Sequence, residues 1–371
     1  MQNVARFQNV LVEVSQARGQ PCVHWPDFES QTFARFSQFG KLIDTAPVER
    51  PGPETRLDAA CVWIGTYDRH YGHFISETVS RIPVAAALHA DKTQVFNVYA
   101  GFGGGKTEPH FRQILQWFGV PDDKVHLIAE KTRISDLTVF ETPEHLGQRD
   151  LWGGYLDLLD ANDQRNRLEK SGGGVVYVSR SRFDTARGRH AGEGYLVERL
   201  LEQGVRVIWP EEMTVEDQIR EMVKADHLVL AEGSAVYTRQ LAGRSGQTVY
   251  VMRRRPGSSI GFHLLSARVG KVRFVETVAS NITFRSVDGT VLHSEGMALF
   301  DLEEVFRLWS TLGIDLAGKW NKAMYEAARD SDMAEWLSST HRAGQARWRT
   351  PEPSRAYVTE RFVENGLGEL I

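Results

Sequence analysis

A histidine and a glutamate four residues apart, His73 and Glu77, are the sharpest candidates for catalysis in this sequence of 371 residues. They lie in the segment Tyr71-Gly72-His73-Phe74-Ile75-Ser76-Glu77, and side chains at this spacing share one face of a helix. A carboxylate beside an imidazole orients the ring and raises its basicity, as a general base acting on a hydroxyl group requires. The alternative is a histidine at a helix start that is simply hydrogen-bonded by Glu77.

Cationic residues are concentrated in a second segment, directly after the apolar run Val176-Tyr177-Val178. Guanidinium groups there can neutralise a diphosphate, because their planar fork matches phosphate oxygens. A solvated loop is the alternative, since most runs of charge are exposed. The charged and protonatable residues of this segment are Arg180, Arg182, Arg187, Arg189, His190 and Glu193.

A third candidate is the turn Glu232-Gly233-Ser234, which follows the apolar run Leu228–Ala231. Backbone N–H groups at a helix start attract an anion. The carboxylate of Glu232 could accept hydrogen bonds from ribose hydroxyls. The alternative is an ordinary helix N-terminus that Ser234 caps.

The elements that must position these residues alternate regularly in the second half of the chain. The predicted strands are 175–179, 205–208, 227–231 and 248–252, and the predicted helices are 194–203, 214–224 and 234–242. This alternation indicates βαβ units, a parallel sheet and the α/β class. Ligands bind outside the carboxyl ends of such strands. Those ends carry Arg180, Pro210-Glu211-Glu212, Glu232 to Ser234 and Arg253-Arg254-Arg255.

The first half is less regular. Its predicted strands are 5–14 (antiparallel or at an edge), 59–64 (buried), 95–100, 125–128 and 137–140, and its predicted helices are 72–90, 111–119 and 155–170. Pro83 predicts a kink or a break in the first of these helices. The glycines Gly172-Gly173-Gly174 mark the best boundary in the chain. Beyond residue 255 we expect a helix at 260–269, a strand at 271–278, a hairpin around Asp288-Gly289, and helices at 301–312 and 319–338.

Composition and local patterns exclude several classes of function. A formal net charge of −4 argues against capture of DNA or another polyanion. The N-terminus lacks the apolar run of a secretory signal, and no stretch approaches 18 apolar residues, so we expect a cytoplasmic location. Cys22 and Cys61 have neither metal-binding nor redox spacing and are interpreted as reduced thiols.

Two further motifs point to other chemistry. The segment Ala100 to Thr107 resembles a phosphate-binding Walker loop, but Pro109 interrupts the position of its helix, and no later strand ends in the aspartate that would hold magnesium. A loop near the cleft that contacts an acceptor is the alternative. The one literal DxD motif, Asp330-Ser331-Asp332, is expected on a solvated helix face. His70 with His73 lacks a third ligand, so no metal site is predicted.

Several motifs in a fixed order together resemble those of glycosyltransferase family 61. They are Tyr71 to Glu77, Ser179-Arg180, Arg189 with Glu193, Pro210-Glu211 to Gln218, and Glu232-Gly233-Ser234. The resemblance covers about residues 60–255. The sequence departs from the family pattern at two positions. It has Gly192 where asparagine is common, and Tyr237 where asparagine or histidine is common.

The resemblance implies a GT-B-like architecture, with two Rossmann-like domains facing a cleft. It also implies inverting transfer, without a metal or other cofactor, from a nucleotide sugar (UDP-linked sugars are expected) to a hydroxyl of a glycan acceptor. Since bacterial members make capsule and lipopolysaccharide, a role in surface polysaccharide synthesis is expected. Carried over to this sequence, His73 is the base and Glu77 orients it. The donor site then comprises Arg180, Arg182, Arg189, Glu193, Glu211, Glu232, Gly233 and Ser234.

The same resemblance suggests a domain plan. Residues 1–170 are predicted as the acceptor-side domain, 171–318 as the nucleotide-sugar domain, and 319–371 as a helical arm that packs back on the first domain. A non-catalytic nucleotide- or glycan-binding module on the same fold is the main alternative function. A P-loop NTPase using Gly101–Thr107 is a weaker one. Peripheral membrane association and the oligomeric state stay open.

Overall fold

The computed structural model describes residues 3–16, 22–29, 37–38, 41–42, 45–102, 106–146, 151–285, 289–340 and 352–371. Within these ranges the strands of the first half are β1 (Val4–Val12), β2 (Ser37–Gln38), β3 (Lys41–Leu42), β4 (Thr55–Tyr67), β5 (Thr93–Val98), β6 (Val125–Ile128) and β7 (Thr132–Phe140). The first sheet has the strand order β1-β7-β4-β5-β6. Strand β1 lies at its edge and pairs antiparallel with β7, as predicted, while the other pairings are parallel.

The segment after β4 is helical but interrupted. It consists of α1 (Tyr71–His73), a π-helix (Phe74–Val79) and α2 (Arg81–Leu88). The interruption was predicted at Pro83 but lies before it, at Ser80. Pro83 falls in the first turn of α2, where a missing N–H group leaves no hydrogen bond unmade. A π-helix inside an α-helix often marks a functional site.

Helices α3 (Pro109–Trp117) and α4 (Tyr155–Arg165) complete the first half. Helix α3 begins at Pro109, three residues after Lys106, so the chain lacks the helix start of a Walker loop at Lys106-Thr107. Residues 103–105 of the glycine-rich segment lie outside the described residues. Arg69 Nη2 donates to the carbonyl oxygens of Phe102 (3.1 Å) and Lys106 (3.4 Å), which are on either side of that segment.

The second sheet is parallel throughout, as predicted. Its strands are β8 (Val175–Val178), β9 (Arg206–Ile208), β10 (His227–Ala231), β11 (Thr248–Met252) and β12 (Lys271–Val275), in the order β12-β11-β10-β8-β9. Its helices are α5 (Glu193–Glu202), α6 (Val215–Lys224), a 3₁₀ helix (Ser234–Leu241) and α7 (Phe262–Ser266). Thr214 caps α6 by accepting from the Asp217 amide, as its position predicts. The mixed α/β class is therefore confirmed.

The remaining described strands and α-helices are β13 (Val278–Ile282), β14 (Met297–Phe300), α8 (Leu302–Thr311), α9 (Lys322–Thr340) and α10 (Glu352–Glu364). Strands β13 and β14 are antiparallel. In the predicted hairpin, Arg285 pairs with Val291, whereas Asp288 lies outside the described residues. None of the helices in the described ranges is both long and apolar enough to cross a membrane.

The C-terminal arm packs differently from the prediction. Met333 and Trp336 of α9 and Phe362 of α10 are fully buried in one cluster with Ile282 and Met297, which belong to the β13–β14 pair. The described residues of the arm therefore pack on the second half of the chain rather than on the first. The apolar positions of β13 and β14 provide the surface that buries these side chains.

The two halves share one hydrophobic core. Phe74 and Phe111 from the first half lie in the same buried cluster as Ile219 and Leu241 from the second. A buried ion pair between Arg268 and Glu144 also joins the halves. Removing one partner of such a pair costs about 3–5 kcal/mol. The two halves are therefore held together by shared core packing and by this ion pair, and not only by the linker at Gly172–Gly174.

Candidate functional site

The turn after β4 is held by short-range contacts that fix where the helix begins. The Asp68 carboxylate accepts from the His70 amide at 2.7 Å, and the His70 ring accepts from the His73 amide at 3.4 Å. The rings of His70 and His73 lie 4.6 Å apart between centroids. These contacts place His73 directly beyond the carboxyl end of β4, as predicted.

The pairing of His73 and Glu77 has the geometry that their spacing predicts. Nδ1 of His73 lies 3.0 Å from Oε1 of Glu77. The Glu77 side chain is 9% exposed and the His73 side chain 35% exposed, so the ring reaches the surface while its carboxylate partner lies beneath. With Nδ1 donating to the carboxylate, Nε2 is the basic nitrogen of the neutral ring.

Gly72 allows the His73 segment to approach the turn at Ser234. A Cβ atom on Gly72 would lie 2.9 Å from Oγ of Ser234 and 3.3 Å from the Tyr237 ring. Next to it, the Tyr71 hydroxyl is 2.8 Å from the Thr238 hydroxyl. The first and third candidate motifs, which come from different halves of the chain, are therefore in direct contact.

Gly233 allows a second close approach, in this case by Arg180. Any Cβ on Gly233 would overlap the Arg180 guanidinium. This requirement concerns space alone, because the backbone of Gly233 is extended (φ 174°). The second candidate motif thus joins the other two at the carboxyl ends of β8 and β10.

The Arg180 guanidinium is held from several sides. Nη2 donates to the Gly188 carbonyl at 3.0 Å, and the group lies 4.5 Å from the centre of the Phe183 ring. Nε is buried and has no hydrogen-bond partner within the described part of the chain. Burial lowers the pKa of Arg180, while the nearby carboxylates of Glu193, Glu211 and Glu232 oppose this shift. Because the pKa of arginine starts so high, the group stays cationic and can pair with an anion.

Glu193 is buried beneath Arg180 and binds protein groups at the end of β8. Its Oε1 accepts from the Tyr177 hydroxyl, the Ser179 hydroxyl and the Arg180 amide, each at 2.8 Å. The residue is fully buried. The hydrogen bonds of Oε1 fix the end of β8, and the predicted contact of Glu193 with the donor stays a prediction.

Arg189 was predicted to bind phosphate, but its terminal nitrogens bind protein groups. Nη1 donates to the carbonyl oxygens of Ser181 (2.5 Å) and Phe183 (3.0 Å). Nη2 donates to Oδ1 of Asp332 at 2.6 Å. Since the side chain is only 10% exposed, Arg189 organises the loop that follows β8.

Both carboxylate oxygens of Glu232, for which a hydrogen bond to a ribose was predicted, bind protein groups. Oε2 accepts from the amides of Arg254 (2.8 Å) and Arg255 (3.0 Å). Oε1 accepts from Nε of Arg255 (2.7 Å) and from the Ser258 hydroxyl (2.6 Å). Burial acts to raise the pKa of Glu232, but Arg255 and these hydrogen bonds outweigh it and lower the pKa. The ionised carboxylate therefore ties the end of β10 to the end of β11.

Arg182 and Glu211 lie at the end of β9 and differ in their contacts. Arg182 pairs with Glu212 at 2.5 Å and stacks 3.7 Å from the centre of the Trp209 ring, so its cation is already paired. Glu211 reaches water, yet enough protein surrounds its carboxyl group that burial raises its pKa, while Arg180 acts to lower it. Glu211 is the predicted donor-site carboxylate that stays accessible.

A hydrogen-bonded chain that sequence reasoning missed connects these parts. From the Tyr71 hydroxyl it runs through Thr238 to Oε1 of Gln218 (3.3 Å). Nε2 of Gln218 donates to the Pro210 carbonyl at 2.8 Å, next to Glu211. Tyr71 and Gln218 are motif positions in the sequence, but no sequence pattern indicates that Thr238 links them.

Within the described ranges no group of three or more His, Cys, Asp or Glu side chains is placed to hold a metal ion. In the DxD motif, Asp330 pairs with Arg329, and Asp332 binds Arg189 and the Gly192 amide. The expectation of a merely solvated helix face was therefore wrong for Asp332.

Comparison with known families supports the resemblance. Residues 71–246 match the model of the family described as Glycosyltransferase 61. The match begins at the first residue of the His73 motif and includes Arg180 and the turn at Ser234. None of the curated proteins compared with the chain matches it. The family match indicates glycosyltransferase activity, and hence a sugar donor and an acceptor.

Proposed function

We propose that this chain is an inverting, metal-independent glycosyltransferase that transfers a sugar from a UDP-linked donor to a hydroxyl of a glycan. The observation that carries the proposal is the pair of close approaches, Gly72 to Ser234 and Gly233 to Arg180. They place the His73–Glu77 pair, the start of the 3₁₀ helix at Ser234 and the Arg180 guanidinium close together. All three lie at the carboxyl ends of strands, which come from both sheets. This is the set of groups that a single displacement requires.

His73 is the proposed general base. Nε2 takes the proton of the acceptor hydroxyl as its oxygen attacks the anomeric carbon, and Glu77 stabilises the imidazolium that forms. The new C–O bond forms on the face opposite the leaving group, so the configuration inverts. As the bond to the diphosphate breaks, its electron pair stays on the diphosphate oxygen.

Arg180 and the start of the 3₁₀ helix are proposed to stabilise that leaving group. The guanidinium supplies a fixed positive charge, and the backbone amides at Ser234 supply further donors. Both are held in place before a ligand arrives, so little reorganisation accompanies the reaction. A bound metal ion is therefore not required in this proposal.

Among the remaining residues of the predicted donor site, Glu211 is proposed to accept a hydrogen bond from a donor hydroxyl. Its carboxyl group is accessible and lies near Arg180. Glu193, Arg189 and Glu232 are proposed to hold Arg180 and the strand ends, because their polar atoms bind protein groups.

A role in surface polysaccharide synthesis is supported only by the family resemblance.

A thermal-shift panel with UDP, GDP, TDP, CMP and ATP, each with and without EDTA, tests the proposal. We expect stabilisation by UDP that EDTA leaves unchanged, since ligand binding to the native state raises its stability. Stabilisation by ATP only in the presence of magnesium would overturn the proposal in favour of an NTPase. Transfer is then measured with UDP-sugars and glycan acceptors, where a binding module would leave the donor intact.

A further inference from the structure

The C-terminal arm contacts the loop that carries Arg180 chiefly through the Asp332 carboxylate, while Glu335 lies farther from Arg189, at 3.7 Å. Asp332 in α9 uses both oxygens: Oδ1 accepts from Nη2 of Arg189 at 2.6 Å and Oδ2 from the Gly192 amide at 2.8 Å. The Asp332 side chain is 17% exposed and that of Arg189 is 10% exposed, so the pair is largely shielded from water. Charge-assisted hydrogen bonds of this kind are stronger than neutral ones.

Arg189 links Asp332 to the residues that hold Arg180, because it binds both. It donates to the carbonyls of Ser181 and Phe183 and so fixes the backbone directly after Arg180. The Phe183 ring lies under the Arg180 guanidinium, and the Gly188 carbonyl accepts from it. Both immediate supports of the guanidinium therefore belong to the loop that Arg189 and Asp332 organise.

The conformation of Gly192 shows that α9 and this loop fit each other closely. Gly192 has φ +78°, a left-handed conformation that glycine and asparagine tolerate best. A Cβ atom there would lie 2.6 Å from the Tyr325 ring of α9. Glycine is thus required at the position where the family pattern often has asparagine, because Tyr325 fills the space in this chain.

Helix α9 has other anchors that do not depend on Asp332. Nε1 of Trp336 donates to the Glu295 carbonyl at 3.1 Å, and its ring stacks on Phe284 at 4.3 Å between centroids. Trp336 is fully buried. Loss of the Asp332 carboxylate should therefore leave the helix docked and release only the loop.

We infer that Asp332 is a positioning residue for donor binding, which acts through Arg189 and the loop at 181–192 on the Arg180 guanidinium. This inference rests on the proposed role of Arg180 as the group that binds the diphosphate. It gives the arm a function in the site, although the arm lies outside the segment that matches the family.

The test uses the full chain with Asp332→Ala and, as a matched control, Asp330→Ala. Asp330 carries the same charge on the same helix but pairs only with the neighbouring Arg329 among the contacts described. Hydrogen exchange of the amides at 181–192 and the Kd for UDP are measured for each variant. We expect Asp332→Ala to speed exchange in this segment and to weaken UDP binding about 10- to 100-fold, as displacement of a binding group does. Asp330→Ala should match the wild type in both measurements.

A double-mutant cycle separates positioning from a general loss of structure. In an Arg180→Ala background, Asp332→Ala should weaken UDP binding no further, because the group it positions is gone. If Asp332→Ala does not fold, the isosteric Asp332→Asn replaces it in the same cycle. Additive effects on the Kd, unchanged exchange, or faster exchange with wild-type UDP affinity would each overturn the inference. Failure of the wild type to bind UDP would overturn the proposed donor site, while the exchange data would still decide whether Asp332 holds the loop.

Discussion

The His73 segment and the Arg180 loop lie at the same edge of the molecule, but they are held in different ways. Most described contacts of the His73 segment are local: Asp68 and the His70 ring bind backbone amides, and the i,i+4 partner Glu77 binds the His73 ring, while Tyr71 adds one distant bond to Thr238. The Arg180 guanidinium depends on Gly233, on Glu193 and, through Arg189, on Asp332. These supports come from up to 152 residues away, as counted from Arg180 to Asp332 (332 − 180).

This difference predicts how each region responds to substitution. A change at His73 should alter the chemistry with little effect on folding, because the ring is partly exposed and has a local partner. A change among the supports of Arg180 should alter binding and stability together, because the same buried polar groups serve both.

His73→Ala should reduce turnover about 10²–10⁴-fold, since the positioned base is lost. UDP affinity and the melting temperature should stay near the wild-type values. Steady-state transfer assays, calorimetry with UDP and thermal melts check these three quantities. His126→Ala is a suitable control, because His126 is an exposed histidine on β6 of the same sheet. A His73→Ala variant with wild-type turnover would remove His73 from the mechanism.

Arg180→Ala should reduce kcat about 10²–10³-fold, the loss expected when one preorganised donor to the developing charge is removed. It should also weaken UDP binding, which His73→Ala should not. Arg182→Ala is the comparison, because its guanidinium is occupied by Glu212 and Trp209 and should matter little. Equal losses for the two arginines, in transfer rate and in Kd, would contradict the assignment of the diphosphate to Arg180.

Glu232→Gln should lower the free energy of unfolding by about 1–3 kcal/mol at pH 7, because it removes the buried charge that binds the partly exposed Arg255 guanidinium and two backbone amides. The pKa of Glu232 is lowered in the folded state, so its contribution is present above the unfolded pKa. That contribution is lost as the pH falls through the folded pKa. Urea unfolding at a series of pH values should therefore show the two proteins converging in acid. A constant difference at all pH values would mean that the charge of Glu232 is not what stabilises the fold.

The same contrast explains how much of the molecule could be predicted from its sequence. The parallel strands at 227–231 and 248–252 were predicted with the bounds observed, because their apolar runs are short, buried and flanked by turns. The His73–Glu77 pair could be predicted because residues four apart share a helix face, and the pair forms although Phe74–Val79 is a π-helix. Both predictions needed only local sequence.

The roles of Arg189, Glu193 and Glu232 could not be predicted in that way. Charge at the carboxyl end of a parallel strand suggests a ligand contact, but a residue there can equally bind the neighbouring backbone. Glu232 does so through the amides of Arg254 and Arg255. Which of the two occurs depends on distant segments such as α9, and no single-sequence pattern indicates where those segments pack.

The smallest predicted effects come from adding one methyl group on each side of the site. Gly233→Ala should weaken UDP binding about 10-fold, because its Cβ displaces the Arg180 guanidinium, and overpacking of this kind costs about 1–3 kcal/mol. Gly72→Ala places its Cβ 2.9 Å from Oγ of Ser234 and should instead shift His73, so kcat falls while the Kd for UDP changes less. Because both glycines accept alanine without strain in φ, neither variant needs a new backbone conformation. Calorimetry with UDP and transfer assays on the two variants, run side by side, would show whether the His73 region mainly sets kcat and the Arg180 region mainly sets UDP affinity. The same ratio of kcat loss to Kd loss in both variants would contradict this division of roles.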